Sequence, residues 1–179
     1  MTDNERLAEL LFPNISWTPQ QYEEQYPARQ LPEGARVTRF SPSPTGYLHI
    51  GGLFAAMTAR LTAKATSGVF FLRIEDTDKK REVEGGVTAI VTGLAAFGIT
   101  PDEGITGLGT ESGVYGPYQQ SKRREIYQCF AKELVRQGLA YPCFCTEAEL
   151  TALREQQEAQ AVNKGYYGEW AACRNLAFL

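Results

Sequence analysis

The sequence has no long apolar run, and its start lacks the apolar segment of an export signal. The stretch from Met1 to Leu10 is polar and acidic. A transmembrane helix needs about 20 consecutive apolar residues, and a signal peptide needs a shorter apolar core. We therefore expect a cytoplasmic protein that has no membrane partner.

The sequence also lacks an excess of positive charge. Lysine and arginine total 18 against 21 aspartates and glutamates, which gives a net charge of −3. This balance excludes the overall positive charge that is typical of proteins that bind nucleic acids. Any contact with RNA must be local, or must be made by parts outside this chain.

Cysteine is scarce, and the missing export signal decides how the four are interpreted. Disulfides belong to oxidising compartments, so these side chains are expected to be reduced thiols or metal ligands. Cys129 lies on the predicted inner face of a helix and is interpreted as a small core residue. The other three are Cys143, Cys145 and Cys173.

Two common nucleotide-binding patterns are missing as well. Gly107-x-Gly109 has no third glycine in the required place and no predicted strand before it, so it is not a dinucleotide fingerprint. The sequence contains no Gly-Lys-Ser or Gly-Lys-Thr, so a P-loop enzyme is not expected.

The first feature that is present is a strand, a rigid turn and a helix start. Alternating residues predict a strand over 35–40, and apolar spacing predicts a helix over 50–66. Pro42 and Pro44 stand between them and hold the turn extended, because each proline fixes its own φ and restricts the preceding residue.

Histidine occurs once, and it falls at the start of this helix. Gly51 and Gly52 follow His49 and would present bare backbone N–H groups to an anion, with the imidazole placed to donate to an anionic oxygen. The plainer interpretation is that His49 serves as a helix cap or spacer. Both interpretations are compatible with the pattern.

A second strand, buried on both faces, is predicted over 69–74, and Glu75 follows it directly. Strand, helix and strand form a βαβ unit with a parallel sheet, and ligands of such sheets lie beyond the carboxyl ends of adjacent strands. Arg39 ends the first strand, so it and Glu75 would point into one crevice. Such a pair suits an amino acid, with arginine taking a carboxylate and glutamate an ammonium group. The alternative is that Arg73, Glu75, Asp76 and Asp78 form a solvated strand end with salt bridges.

The remaining core elements are predicted from spacing and turn residues. Apolar residues at helical spacing predict a helix over 83–97, followed by a glycine-rich loop over 104–116. A further helix is predicted after Tyr118, with Ser121 as N-cap and Gly138 at its end.

Two segments resemble a known family. SPSPTGYLHIGG is similar to the His-x-Gly-His signature of class I aminoacyl-tRNA synthetases, in the spelling of glutamyl-tRNA synthetases, and RIEDTD resembles their second signature. Gly52 replaces the final histidine of the general signature, which is common in the glutamate group. The resemblance covers about 35–173 and implies an α/β, Rossmann-like catalytic core with a parallel sheet flanked by helices.

The resemblance implies a reaction and its participants. ATP, with Mg²⁺, and glutamate would form glutamyl adenylate, and the acyl group would then move to tRNA(Glu). His49, Gly51 and Gly52 would face the ATP phosphates as the catalytic group, with Thr45 and Gly46 beside them in the ATP site.

The same resemblance assigns the amino-acid pocket. Arg39 would take the side-chain carboxylate of glutamate and Glu75 its amino group, while Ser41 and Ser43 would line the pocket.

The cysteines of the tail suggest zinc. Thiolates from Cys143, Cys145 and Cys173 are a usual set for tetrahedral zinc, but a fourth ligand is missing because the single histidine is engaged elsewhere. Relatives with this arrangement use a histidine or a tyrosine, which makes Tyr167 the candidate by resemblance, with Glu169 or water as the alternative. The alternative to zinc binding is that the three cysteines are the remains of a metal site that has been lost.

The resemblance divides the chain into three parts. An N-terminal extension is expected over 1–34, the first half of the catalytic domain over 35–140, and the start of a zinc-binding insertion over 141–179. A Lys-Met-Ser-Lys-Ser-like loop is absent, so we expect a truncated, monomeric fragment that is inactive alone.

Three other functions fit parts of the pattern. A glutamyl-queuosine tRNA(Asp) synthetase shares the core but differs in its first signature and has no long N-terminal arm. Nucleotidyltransferases share the strand, turn and helix but lack RIEDTD and the cysteines. A tRNA- or zinc-binding module without catalysis is the alternative outside the enzymes.

Overall fold

The computed structural model describes residues 1–176, and they form two compact units. One unit runs from Gln20 to Tyr127, and the other combines Met1–Pro19 with the chain from Gln128 onward. The domain boundaries predicted at residues 34 and 140 stay a prediction. The helices, in chain order, are α1 (Asp3–Leu11), α2 (Pro19–Gln25), α3 (Ile50–Ala65), α4 (Gly86–Ala96), α5 (Arg124–Arg136) and α6 (Glu147–Ala159).

The unit from Gln20 to Tyr127 is built on a four-stranded sheet in the order β1-β2-β3-β4. The first three strands are parallel and β4 is antiparallel to β3, so the predicted parallel βα order is confirmed. The strands are β1 (Val37–Phe40), β2 (Val69–Leu72), β3 (Glu103–Gly107) and β4 (Thr110–Ser112).

One face of this sheet carries the hydrophobic core. Phe40, Phe70 and Leu72 are buried, because alternate residues of a strand point to the same face. The other face is more open, with Val37 45% exposed and Phe71 half-buried, so the prediction that β2 is buried on both faces was wrong for one of them. The core residues are Phe40, Ala56, Ala63, Phe70, Leu72, Ile74, Ile90, Leu94, Ile99, Ile105 and Tyr118.

Two glycines allow the strands to approach closely. A Cβ atom on Gly68 would lie 1.9 Å from the carbonyl oxygen of Arg36, and one on Gly104 would lie 2.1 Å from that of Leu72. Both distances are far shorter than any real contact. Gly104 also has a φ of +119°, a conformation that residues with a side chain rarely adopt.

The glycine-rich loop predicted over 104–116 was wrong in its first half. This segment forms the β3–β4 hairpin, with Gly104 paired to Ser112. Gly104, one of the glycines that suggested a loop, is required in the strand by its close contact with the Leu72 backbone. The helix predicted from residue 83 begins at Gly86, after Gly85 in the left-handed region.

The start of α5 also differs from the prediction. A 3₁₀ turn over Gln120–Arg123 precedes it, and Ser121 lies in that turn rather than at an N-cap. Cys129 is buried, as predicted, and Gly138 follows the end of the helix with a φ of +71°.

The other unit is held by polar contacts between its two chain segments. The Lys132 ammonium group donates to the Glu9 carboxylate at 2.8 Å and to the Ile15 carbonyl at 2.9 Å. The Cys129 thiol lies 3.0 Å from the Trp17 carbonyl oxygen. Within residues 1–176, no helix is long and apolar enough to cross a bilayer.

Candidate active site and thiol cluster

Three chain segments meet where the parallel strands end, because backbone pairing continues past β1 and β2. The Glu75 N–H donates to the Pro42 carbonyl at 3.0 Å, which extends the β1–β2 pairing. On the other side, the Ile74 N–H donates to the Tyr118 carbonyl at 3.0 Å, and the Gln120 N–H returns to the Ile74 carbonyl at 2.8 Å. These hydrogen bonds fix the backbone around Glu75 relative to Pro42 on one side and Tyr118 on the other.

Arg39 and Glu75 meet at this edge, as predicted from their strand positions. An Arg39 guanidinium nitrogen lies 4.0 Å from a Glu75 carboxylate oxygen, and the side chains are 44% and 34% exposed. A pair this long and open keeps donors and acceptors available to a third charged group. A ligand with both a carboxylate and an ammonium group matches it.

A cleft of about 330 Å³ lies beside the pair, on the face that carries the core. Of the predicted site residues, the cleft contains Ser43, Thr45, Gly46, His49 and Gly52. Arg39, Ser41, Gly51 and Glu75 are outside its lining. The lining residues are Phe40, Pro42, Ser43, Thr45, Gly46, Tyr47, Leu48, His49, Gly52 and Ile90.

His49 is the N-cap of α3, so the helix-cap interpretation is confirmed. Its Nδ1 atom accepts from the backbone N–H groups of Gly51 at 3.1 Å and Gly52 at 3.4 Å. The prediction that these two N–H groups are bare was therefore wrong. Because Nδ1 acts as acceptor, the ring proton resides on Nε2, which leaves Nε2–H as the donor that can reach into the cleft.

Asp76 was considered only as part of the alternative solvated strand end, and for this residue that alternative was wrong. Its side chain is fully buried and accepts from the Ser121 hydroxyl at 2.6 Å, the Ser121 N–H at 2.9 Å, the Gln119 amide at 2.8 Å and the Lys79 ammonium at 3.2 Å. These contacts tie the end of β2 to the segment that follows Tyr118. The signal was present in RIEDTD, but the pairing with Ser121 is set by the fold.

The charge of Asp76 is stabilised where it lies. Burial by itself would raise the pKa of its carboxyl group, but hydrogen bonds from Ser121, Gln119 and Lys79 outweigh burial and lower the pKa from 3.8 to about 2. Asp78, in contrast, forms an exposed pair with Arg81, so the solvated strand end predicted as the alternative is correct for that residue.

Three thiols converge in the other unit. The sulfur atoms of Cys143, Cys145 and Cys173 lie within 4.8 Å of one another, and those of Cys145 and Cys173 are 3.7 Å apart. Sulfur ligands at about 2.3 Å from a tetrahedral zinc ion would be about 3.8 Å apart. The cluster therefore fits three corners of a zinc site.

The tyrosine beside the thiols is Tyr166, and not Tyr167 as predicted. The Tyr166 hydroxyl accepts from the Cys173 N–H at 2.9 Å and lies 3.6 Å from the Cys145 sulfur. The Tyr167 hydroxyl instead donates to the Asn163 carbonyl at 2.5 Å. The two adjacent rings point in different directions, which residue spacing alone could not decide.

The pKa of the Cys173 thiol is lowered, whereas that of the Cys145 thiol is raised. Hydrogen bonding with Tyr166, followed by the backbone N–H of Phe144, lowers the pKa of the Cys173 thiol to about 7. The same contact with Cys173 raises the pKa of the Tyr166 hydroxyl. Thiolates are the form that binds metal, and the surroundings of Cys173 favour that form.

Comparison with known families adds independent evidence. Residues 36–175 match the family model of the tRNA synthetases class I (E and Q), catalytic domain.

Curated relatives agree with this match. The glutamate–tRNA ligase of Clostridium perfringens strain 13 is 54% identical over 173 residues, covering 97% of this chain and 32% of the relative. That of Clostridium beijerinckii is 54% identical over 172 residues, covering 96% and 31%. The chain thus spans about a third of the length of the curated relatives it matches.

Solved structures agree in fold. The glutamate-tRNA synthetase of Elizabethkingia anophelis matches with a TM-score of 0.63 and 43% identity, over 73% of this chain and 25% of that one.

Proposed function

The chain belongs to the catalytic-domain family of the glutamate- and glutamine-specific class I tRNA synthetases, and from that membership we propose that it carries the glutamate- and ATP-binding half of a glutamate–tRNA ligase. The predicted Rossmann-like class I fold is confirmed by the parallel sheet and by the structural match. The full reaction belongs to the whole enzyme, of which the chain corresponds to about a third.

The observation that carries the proposal is the open Arg39–Glu75 pair beside a cleft that contains His49. Arg39 takes the side-chain carboxylate of glutamate, and Glu75 takes its ammonium group. Ser41 and Ser43 line the adjoining turn. Glutamine would offer Arg39 a neutral amide and lose the charge-assisted hydrogen bond, so the pair selects glutamate.

In the first step, an α-carboxylate oxygen of glutamate attacks the α-phosphorus of ATP, and the bond to pyrophosphate breaks. The Nε2–H group of His49 donates a hydrogen bond to a phosphate oxygen, while the N–H groups of Gly51 and Gly52 fix the ring through Nδ1. Thr45 and Gly46 border the same cleft. Mg²⁺ would accompany ATP and offset part of the phosphate charge. Positioning and charge stabilisation carry most of this rate.

In the second step, a hydroxyl of the terminal adenosine of tRNA(Glu) attacks the activated carbonyl, and AMP leaves. The alternatives are not favoured, because the matched relatives are named glutamate–tRNA ligases rather than tRNA(Asp)-modifying synthetases or binding modules. Monomeric state and cytoplasmic location stay predictions from the sequence.

We further propose zinc at the thiol cluster, with Cys143, Cys145, Cys173 and the Tyr166 oxygen as ligands. The fit of the sulfur spacing and the position of the Tyr166 hydroxyl support this set. Zinc would supply structural cross-linking of the segment between Cys143 and Cys173, because a four-ligand site is closed to substrate.

The test of the proposed function separates the two substrates. Arg39→Ala should weaken glutamate binding at least tenfold, as expected for loss of a charge-assisted hydrogen bond, and leave ATP binding unchanged. Calorimetric titration of both ligands into the parent chain and the variant measures this. Equal losses for glutamate and ATP would refute the assignment of Arg39.

A further inference from the structure

The N-terminal arm, residues 20–34, contacts the sheet on the face that carries the proposed glutamate site. Arg39 on β1 is in register with Phe71 on β2, and Phe71 is in register with Glu103 on β3. Residues in register on parallel strands present their side chains to the same face. The Arg29 guanidinium group of the arm binds both oxygens of the Glu103 carboxylate. The arm and the amino-acid site therefore share one face of the sheet.

The contact between Arg29 and Glu103 is well shielded from water. The two side chains are 16% and 15% exposed, and the Arg29 guanidinium carbon lies 3.8 Å from the centre of the Tyr115 ring. A two-pronged contact between arginine and a carboxylate fixes the orientation of both groups as well as their distance. The arm thus holds Glu103 in one orientation.

From Glu103 the contacts lead to the strand end that carries Glu75. The Tyr118 hydroxyl donates to the Glu103 carboxylate at 2.7 Å and accepts from the Tyr115 N–H at 3.2 Å. Tyr118 is buried, and its carbonyl accepts from the Ile74 N–H at 3.0 Å. Ile74 immediately precedes Glu75, so the position of Tyr118 helps to determine where Glu75 lies.

The residues that follow Tyr118 hold the chain on the other side of Glu75. The Gln119 amide and the Ser121 hydroxyl donate to the buried Asp76 carboxylate at 2.8 and 2.6 Å. Asp76 follows Glu75 directly in the chain. The residue before Glu75 and the residue after it are therefore both bonded to one short segment, and that segment begins at the tyrosine that contacts the arm.

The alternative is that Arg29 only anchors the arm. The Tyr115 hydroxyl provides another anchor, since it donates to the Pro27 carbonyl at 2.9 Å. This hydrogen bond lies outside the path from Arg29 through Glu103 to Tyr118. Both anchors hold the arm, but the one at Arg29 also leads to the amino-acid site, which makes the two contributions separable by mutation.

We propose that Arg29 is a positioning residue for the glutamate site. It holds Glu103 against the Tyr118 hydroxyl, and the segment at Tyr118 in turn holds Glu75 in the position that receives the substrate ammonium group. This proposal rests on the proposed function, and it gives the N-terminal arm a part in the binding of glutamate.

Titration of glutamate and of ATP into the chain and its variants tests this path. Arg29→Gln and Tyr118→Phe should each weaken glutamate binding about fivefold. ATP binding should not change, because the cleft that contains His49 is not lined by residues of the path. Adding Arg29→Gln to Tyr118→Phe should cause no further loss, because the path is already broken at the hydroxyl group. Arg29→Lys keeps the cation without the two-pronged contact, so its glutamate affinity should lie between those of the parent and Arg29→Gln.

The matched control is Tyr115→Phe, which removes the anchor at Pro27 and keeps the aromatic ring under Arg29. It should leave glutamate affinity unchanged. An equal loss of glutamate affinity in Tyr115→Phe and Arg29→Gln would overturn the proposal. So would equal losses for glutamate and ATP in Arg29→Gln, or full glutamate affinity in that variant.

Amide hydrogen exchange tests the path without any ligand. The Val69 N–H, which donates to the Arg36 carbonyl, lies at the other end of β2 and serves as the reference. In Arg29→Gln, exchange at the Ile74 N–H should accelerate about fivefold more than exchange at Val69. Equal acceleration at the two amides would indicate a general loss of stability and would overturn the proposal.

The two measurements distinguish this proposal from the proposed function. Selective acceleration at Ile74 in a chain that does not bind glutamate would contradict the amino-acid site and still support the path from Arg29 to Ile74. Glutamate binding that Arg29→Gln leaves intact would overturn the proposal and leave the amino-acid site standing.

Discussion

Asp76 shows how one side chain supports the reacting groups without touching them. Its carboxylate accepts hydrogen bonds from Ser121, Gln119 and Lys79, and so ties the chain directly after Glu75 to the segment that follows Tyr118. Glu75 is the next residue in the chain and the proposed partner of the substrate ammonium group. The buried hydrogen bonds of Asp76 therefore help to hold Glu75 in position.

Asp76→Asn should lower the free energy of unfolding by roughly 2 kcal/mol at pH 7, because a shift of one pKa unit corresponds to about 1.4 kcal/mol. The folded-state pKa is lowered from 3.8 to about 2. The stabilisation is thus present above pH 3.8 and is lost as the pH falls through 2. Urea unfolding at pH 7, 4 and 2.5 measures the difference between parent and variant. A difference that does not shrink at acid pH would contradict this origin.

The two adjacent tyrosines allow a matched test of the thiol cluster. Tyr166→Phe should weaken zinc binding by about tenfold or more, because it removes the proposed oxygen ligand. Tyr167→Phe should leave it unchanged, because that hydroxyl is bonded to the Asn163 carbonyl. Competition with a chromogenic chelator measures both affinities. Equal affinities in the two variants would exclude Tyr166 as a ligand.

At the scale of elements, the N-terminal arm is fastened to the β3–β4 hairpin. The Arg29 guanidinium group makes a two-pronged contact with the Glu103 carboxylate and lies 3.8 Å over the Tyr115 ring. Glu103 also accepts from the Tyr118 hydroxyl at 2.7 Å, and burial followed by this contact raises the pKa of Tyr118 to about 12. The arm is thereby linked to the segment that binds Asp76.

Arg29→Gln should lower the free energy of unfolding by about 2 kcal/mol, because it leaves Glu103 partly buried without its cation. Cleavage of the arm by a protease under native conditions should become faster. The control is Arg6→Gln, an exposed arginine that makes no ion pair within residues 1–176. Unchanged stability and cleavage in Arg29→Gln would show that the arm is held by other contacts.

The helices and strands that the sequence predicted best are those whose apolar residues recur at regular spacing. α3 and the strands before and after it were predicted within two residues, because their apolar spacing and bounding turns agree. The β3–β4 hairpin was missed because Gly104 and Gly107 look like loop residues, although Gly104 allows a close approach of the β2 backbone. The N–H partners of Gly51 and Gly52 were missed because a side chain's orientation is not encoded in spacing.

At the scale of the whole molecule, the sequence predicted which residues form the candidate site better than it predicted their contacts. The sequence brought together Arg39 and Glu75 correctly, because both end adjacent parallel strands. It assigned Asp76 to a solvated strand end, because the hydrogen-bond partners that bury this carboxylate come from the segment after Tyr118. It selected Tyr167 where the fold presents Tyr166.

Removing metal should affect the two units differently. If zinc cross-links the segment between Cys143 and Cys173, a chelator should speed protease cleavage within that segment and leave the sheet unit, Gln20–Tyr127, intact. Cys143→Ser should behave like the chelated parent. Uniform protection with and without chelator would indicate that the thiols do not hold a structural metal.

The central claim is that the chain presents a site for glutamate, and a single measurement tests it most directly. Isothermal titration of glutamate and of glutamine into the purified chain compares the two ligands at one pocket. Glutamate should bind at least tenfold more tightly, because its second carboxylate forms a charge-assisted hydrogen bond with Arg39. Equal affinity for the two amino acids, or binding of neither, would contradict the assignment of the Arg39–Glu75 pair.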